Sequence, residues 1–138
     1  MKILMIIPEL SIGGAQRSFS QLALDLADQH EVELVVFNQT TPQVDCQNLP
    51  IHSLEVKAGM TFFDKGFYFL HRIYFLKKLK LKLKPDVSLS FLEGADYVNI
   101  LSSVGEKIVV SIRGTKEFDR EINGILGWIR KKFLMPVL

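Results

Sequence analysis

The stretch MKILMIIPELSIGGAQRSFSQLALDLADQHEVELVVF, residues 1–37, decides the fold of this 138-residue chain. Lys2 to Ile7 reads as one continuous buried strand, the pattern of a central parallel strand covered on both faces, and Pro8 ends it. Apolar residues then recur at Ala15, Phe19, Leu22, Ala23, Leu26 and Ala27, the stripe of a helix lying on a sheet. Val32 to Phe37 is a second buried strand. Between the first strand and the helix lies a loop carrying Gly13-Gly14. At the carboxyl end of a first parallel strand, such a loop is where α/β proteins hold phosphate groups, because helix amides point at the ligand. Glycine lets the backbone approach a group that a side chain would block.

Outward from that stretch, Asn38 to Pro50 is polar and turn-rich, and Ile51 to Val56 alternates like a short strand. Asp64 is placed to cap a helix from about Lys65 to Leu83, which Pro85 stops. Asp86 to Leu92 reads as a strand, Ala95 to Ser103 as a short helix and Lys107 to Ile112 as a strand. Arg113-Gly114-Thr115 is a turn, and Phe118 to Phe133 a last helix. Strand and helix alternate throughout, which predicts an α/β fold: a Rossmann-like, doubly wound parallel sheet with helices on both faces. One domain over 1–138 is expected.

An apolar fraction of 48% and a charged fraction of 23% are ordinary for a globular protein. The single cysteine, Cys46, excludes an internal disulfide and fits a reducing compartment. The apolar run before Pro8 is too short for a signal-peptide core, and none reaches the ~20 residues of a membrane span. A cytoplasmic location is therefore expected. Charge is uneven: seven of the 17 basic residues lie between Lys65 and Lys84, where there is no acid, leaving 10 bases against 15 acids elsewhere. Such segregation speaks about partners rather than fold.

The glycine loop is not a dinucleotide fingerprint. No frame of G-x-G-x-x-G fits Gly13 or Gly14, and Asn38 and Gln39 stand where an acid for a ribose hydroxyl is expected. No G-K-[ST] tripeptide marks a P-loop. Two adjacent glycines equally suit a plain tight turn. His30, His52, His71 and Cys46 are scattered without metal-ligand spacing, so no metal and no cofactor is expected.

Residues 1–37 resemble the start of the retaining GT-B glycosyltransferases of family 4. These open with a strand, a Pro-x-Leu segment, Gly-Gly-Ala-Glu/Gln-Arg and a helix before a His-x-Val strand. KPDVSLSFLEGADYVNILSS (84–103) and KIVVSIRGT (107–115) resemble later family segments in the same order and spacing. The resemblance implies the amino-terminal, acceptor-side half of a two-domain transferase. Amides near Gly13 and Gly14 would contact the donor diphosphate, with Arg17 as a supporting charge. Gln16 stands where the family often has Glu.

The family's second domain carries the nucleotide-sugar and a glutamate pair seven residues apart, and no such pair in a matching context occurs here. No Asp-x-Asp pair of the metal-dependent type occurs either. The expectation is half an enzyme, inactive alone, with no catalytic residue assigned. The other reading is a non-catalytic Rossmann-like module that binds a phosphorylated ligand, anionic lipid or partner chain.

For the acceptor, two loops at carboxyl ends of strands point to one crevice, with Glu93 in the first and Arg113 and Thr115 in the second. Arg113 suits a phosphate or carboxylate and cannot serve as a base; Glu93 could accept hydrogen bonds from sugar hydroxyls or act as a base, and could equally cap a helix or pair with a cation. The basic segment FYFLHRIYFLKKLKLKLKP (67–85) places Phe67, Leu70, Ile73, Leu76 and Leu83 near one helical face. Arg72, Lys77, Lys78 and Lys82 lie mainly elsewhere, and Lys80 falls on the apolar side. A solvated outer face accounts for this. So does peripheral attachment to anionic lipid through Arg72, Lys77, Lys78, Lys80 and Lys82, at about 1 kcal/mol per basic residue. The partners implied are a nucleotide-sugar donor, a sugar or lipid-linked acceptor and an anionic membrane surface at its cytoplasmic face; nucleic acid ranks low because no binding fold for it accompanies the patch.

Overall fold

The computed structural model describes residues 1–38, 42–57 and 59–112. Five parallel strands, β1 (Lys2–Ile7), β2 (Glu31–Val36), β3 (Ile51–Ser53), β4 (Val87–Phe91) and β5 (Lys107–Ser111), form one sheet in the order β3-β2-β1-β4-β5. The helices are α1 (Gly14–Ala27), α2 (Phe62–Leu83) and α3 (Glu93–Leu101). The doubly wound sheet read from the sequence is therefore present. The expected turn at 113–115 and helix at 118–133 lie outside the described residues.

β1 is the centre. It pairs with β2 from Lys2↔Glu31 to Ile7↔Val36, and with β4 from Ile3↔Val87 to Ile6↔Ser90. Because side chains alternate along a strand, its apolar run divides between two cores. Ile3, Met5 and Ile7 pack with Phe19 and Ala23 of α1 and with Cys46, while Leu4 and Ile6 pack with Leu76 of α2 and Ala95 and Val98 of α3. A slip of one residue would exchange the two sets, so packing fixes the register.

Two boundaries differ from expectation for local reasons. β3 stops at Ser53 rather than Val56. Leu54 and Val56 still donate to the carbonyls of Val36 and Phe37, but Glu55 between them takes a left-handed φ of 54° that breaks the extended run. α2 starts at Phe62, three residues early, because Thr61 is the N-cap. Its side chain accepts from the Asp64 amide at 3.2 Å and Asp64 accepts from the Thr61 amide at 3.2 Å, a reciprocal capping box. Gly59 is required just before it: a Cβ there would lie 2.5 Å from the Lys65 nitrogen. Lys84 in the left-handed region (φ 50°), followed by Pro85, ends the helix.

Lys80 departs most from the sequence reading. It is fully buried, and its Nζ meets Glu106 Oε1 at 2.5 Å, Asn99 Oδ1 at 2.7 Å and the Asn99 carbonyl at 2.9 Å. Burial pushes the Lys80 pKa down, and pairing with Glu106 opposes that. The pair ties α2 to the turn before β5. Lys80→Ala, which leaves Glu106 buried without its cation, is expected to cost about 3–5 kcal/mol in urea unfolding. The double change Lys80→Met/Glu106→Leu is expected to cost less than that single one.

A second polar cluster lies at the amino edge of the sheet. Lys2 Nζ reaches Glu33 at 2.7 Å and Glu31 at 2.9 Å, and His52 Nε2 meets the other oxygen of Glu33 at 2.5 Å. Burial pushes the Glu33 carboxyl up, but hydrogen bonds from Lys2 and His52 outweigh it and hold the pKa below the ordinary value. A carboxylate depressed in the folded state adds stability above its unfolded pKa and loses it as pH falls through the folded one. Unfolding free energy measured across the acid range is expected to fall with pH there, and Glu33→Gln to flatten that slope.

Candidate functional site: the crevice between β1 and β4

In the strand order, β1 and β4 are neighbours that are not consecutive in the chain, and the helices that follow them lie on opposite faces. This is the topological switch point, where the loops after the two strands diverge and leave a crevice at their carboxyl ends. The Gly13-Gly14 loop and the Glu93 loop, read separately from the sequence, are brought to this same crevice.

On the β1 side, Gly13 is the N-cap of α1. No side chain caps the helix and no acid lies in its first turn. Its first amides and the positive end of its dipole are left for another acceptor. A Cβ on Gly13 would lie 2.3 Å from Gln16 Oε1, so the side chain of Gln16 folds back over this residue. Gln16 Nε2 donates to Ser11 Oγ at 3.3 Å, and Ser11 donates to Glu9 at 3.1 Å. Gly14, by contrast, faces open space: a Cβ at this position would meet nothing within 4 Å. Arg17 is exposed one turn along. It lines a cleft of about 380 Å³ with Ser20, Gln21 and residues 43–45, on the flank of α1.

On the β4 side, the chain turns straight from strand into helix at Leu92, whose φ of 73° and ψ of 141° lie outside the regions open to a branched residue without strain. Backbone strain of this kind is held only where surrounding contacts fix it. Here Leu92 packs on the α1-side core, and its carbonyl accepts from Ala95 and Asp96 at 3.0 Å each. Glu93, half-buried at the start of α3, accepts from the Tyr97 hydroxyl at 2.8 Å. An edge-to-face contact of Phe19 with Phe91, centroids 5.3 Å apart, joins α1 to β4 beneath the crevice.

A buried polar network that sequence reading missed supports the β4 side. Ser90 Oγ donates to Asp96 Oδ1 at 2.7 Å, and Asn99 Nδ2 donates to Ser90 Oγ at 3.2 Å. Asn99 in turn receives Lys80. The only trace in the sequence is the polar alternation Ser88, Ser90 in an otherwise apolar strand. Among the described residues no group of His, Cys, Asp and Glu could hold a metal ion.

Arg113 and Thr115 lie outside the described residues. On α2, Lys77, Lys78 and Lys82 are exposed, as a surface role requires, but Lys80 is not: its charge is spent on Glu106 in the interior. Arg72 is half-buried, with its guanidinium 4.8 Å from the Phe37 ring centroid and Nη2 donating to the Lys57 carbonyl at 3.3 Å; burial pushes its pKa down. No helix among the described residues is long and apolar enough to cross a membrane.

No family model matches the chain. Solved structures share its fold: MurG of Acinetobacter baumannii superposes with a TM-score of 0.64 at 15% identity, over 83% of this chain and 36% of that one. UDP-GlcNAc 2-epimerase from Neisseria meningitidis, bound to UDP-GlcNAc, superposes with a TM-score of 0.63 at 11% identity, over 86% and 34%. In sequence, 108 residues are 32% identical to a Campylobacter jejuni transferase, 78% of this chain and 30% of that protein. That relative is named GalNAc-alpha-(1->4)-GalNAc-alpha-(1->3)-diNAcBac-PP-undecaprenol alpha-1,4-N-acetyl-D-galactosaminyltransferase. The chain is an amino-terminal domain of the GT-B glycosyltransferase type. It spans about a third of the length of the proteins it matches.

In this GT-B domain the Ser90–Asp96–Asn99 network holds α3 to β4 behind the Glu93 loop. Asp96→Ala would leave the Ser90 hydroxyl proton without its acceptor, while the oxygen still accepts from Asn99, and is expected to lower stability by about 2–3 kcal/mol in urea titration, with Asp96→Asn, which keeps an acceptor, costing less.

Proposed function

We propose that this domain forms the acceptor-binding half of a retaining glycosyltransferase of family 4. Such an enzyme moves a sugar from a nucleotide-sugar to a polysaccharide or lipid-linked acceptor. The observation that carries the reading is the uncapped amino terminus of α1 at the switch point, opposite Glu93. In this reading the amides at Gly13 and Gly14 take the donor diphosphate, with Arg17 as supporting charge. Glu93 accepts hydrogen bonds from acceptor hydroxyls, and Arg113 and Thr115 contact the acceptor from the next loop. The sugar-transferring relative at 32% identity favours a transferase over the epimerases that share the fold. The acceptor in that relative's name, a diphosphate-linked lipid glycan, supports a lipid-linked acceptor here. It also supports a site of action at the cytoplasmic face of a membrane, reached through Arg72, Lys77, Lys78 and Lys82.

The preorganised amides and dipole would stabilise charge on the departing diphosphate, which is how a site without an amino-terminal base assists retaining transfer. The sugar itself would be held by a second domain, so residues 1–138 alone should bind nucleotide weakly and not turn over. The rival reading, a non-catalytic module, shares the phosphate site and differs only in what completes it.

Nuclear magnetic resonance titration of the chain with UDP is expected to shift amides from Gly13 to Arg17, with a Kd on the order of 1 mM, corresponding to about 4 kcal/mol. Gly14→Val, whose side chain enters open space at the helix start, should fold yet weaken those shifts several-fold. Shifts confined to other loops would overturn the phosphate assignment. Steady transfer from a nucleotide-sugar by residues 1–138 alone would overturn the half-site reading.

A further inference from the structure

We infer that the cleft between β3 and the last turns of α2 is a second binding site, built for a compact organic anion with a flat apolar body. The body lies against Phe75 and Leu79, and the charged head sits between Lys78 and Lys82. This site is independent of the transferase reading. β2 stands between β3 and β1, so the cleft opens on the flank of the domain and not into the crevice between β1 and β4.

Helical spacing gives α2 three faces. Leu76 and Lys80 are fully buried and turn inward, with Ile73 and Leu83 packed on the same core. Phe67, Leu70 and Tyr74 are exposed on the outward side. Phe75, Lys78, Leu79 and Lys82 stand at i, i+3, i+4 and i+7, so they share a third flank. That flank turns to β3, and with residues 51–55 it lines a cleft of about 610 Å³. Small-ligand pockets span roughly 300–1,000 Å³.

The two walls differ in chemistry. On the helix side, the ring of Phe75 is flanked by those of Tyr74 and His71, at 5.6 and 6.0 Å between centroids, and Leu79 continues the apolar surface. Lys78 and Lys82 lie one turn apart, and among the described residues neither has an ion-pair partner. Like charges at that spacing repel, and a carboxylate or phosphate between them removes the repulsion. On the strand side, the Leu34 amide donates to the Pro50 carbonyl at 2.8 Å and the Leu54 amide to that of Val36 at 2.9 Å. In a parallel ladder this alternation turns the N–H and C=O of Ile51 and Ser53 away from β2, to the open edge. His52 is fixed by Glu33 through Nε2, while its Nδ1 has no hydrogen-bond partner among the described residues.

The same features choose the occupant. An open strand edge invites a peptide strand, but β3 has only three residues, bounded by Pro50 and by the left-handed Glu55, and is too short a template. A bilayer surface does not enter a concave cleft between strand and helix. An uncharged molecule leaves both ammonium groups without a counter-charge, and a bare inorganic ion leaves Phe75 and Leu79 uncovered. A ring that carries one carboxylate or phosphate satisfies both walls.

The test is a nuclear magnetic resonance titration of the chain with four probes: 2-naphthoate, 2-naphthyl phosphate, uncharged 2-naphthalenemethanol and inorganic phosphate. Two variants accompany it, Lys78→Gln/Lys82→Gln in the cleft and Leu70→Gln/Tyr74→Gln on the outward face. All four positions are exposed, so both variants should keep the circular dichroism of the parent. Both naphthyl anions should shift amides of residues 51–55 and 75–82, the tighter anion naming the head group. The alcohol and inorganic phosphate should bind several-fold more weakly. The cleft variant should bind the anions about tenfold more weakly and the alcohol as before. The outward variant should match the parent. An alcohol that binds as tightly as the anions would overturn the anion assignment, and inorganic phosphate that matches them would reduce the site to surface charge. Shifts confined to the outward face of α2, or to residues 13–17, would overturn the cleft as the site. A chain that responds to none of the probes would overturn the inference outright.

Discussion

A parallel strand with neighbours on both sides and cores on both faces can sit in one register, and β1 is held that way. Its odd-numbered residues fill the space under α1 and its even-numbered ones the space under α2 and α3. With β2 and β4 both paired to it, the loops after β1 and β4 must emerge side by side. The candidate site is therefore a by-product of how the sheet is wound. The glycine loop and Glu93, about 80 residues apart in the chain, come to the same edge of the sheet because the crossover through α2 returns the chain to the far side of β1.

α2 joins the parts that this winding separates. Its inner face closes the second core and sends Lys80 inward to Glu106 and Asn99. Asn99 in turn holds Ser90, and Ser90 holds Asp96, behind the loop that presents Glu93. Buried charges are weak as a source of stability, but they demand that every partner be in place. The polar line from α2 ties α3 to β4, and the strained Leu92 turn between them is held by its packing on the α1-side core and by the Ala95 and Asp96 amides. The outer face of α2 is left apolar and basic, so one helix links the sheet, the crevice and a proposed lipid surface.

Several features legible in the sequence hold in detail because they rest on local chemistry. Lys2–Ile7 is a strand with the expected limits, and the loop at Gly13-Gly14 opens a helix whose buried residues Phe19 and Ala23 lie on the predicted stripe. The alternation of strands and helices through Ser111 matches the observed order. Misses have equally local causes. The sequence points to Asp64 as the cap of α2, but Thr61 takes that place and Asp64 answers from the third helical position. Glu55 breaks β3 with a backbone angle that a glutamate's side chain does not announce.

Sequence by itself determined what period and composition encode: a parallel α/β sheet, a glycine-bearing loop that opens a helix after its first strand, and a segment of concentrated positive charge. These follow from side-chain spacing and backbone freedom, which act within a few residues. Tertiary structure alone decided which of two apolar faces of α2 meets the sheet, and thereby that Lys80 is an interior ion-pair partner while Lys77, Lys78 and Lys82 remain outside. A helix apolar on opposite sides has little net amphipathicity, so its periodicity cannot say which side is buried. That choice is made by Asn99 of α3 and Glu106 just before β5, which together supply the partners for one buried ammonium.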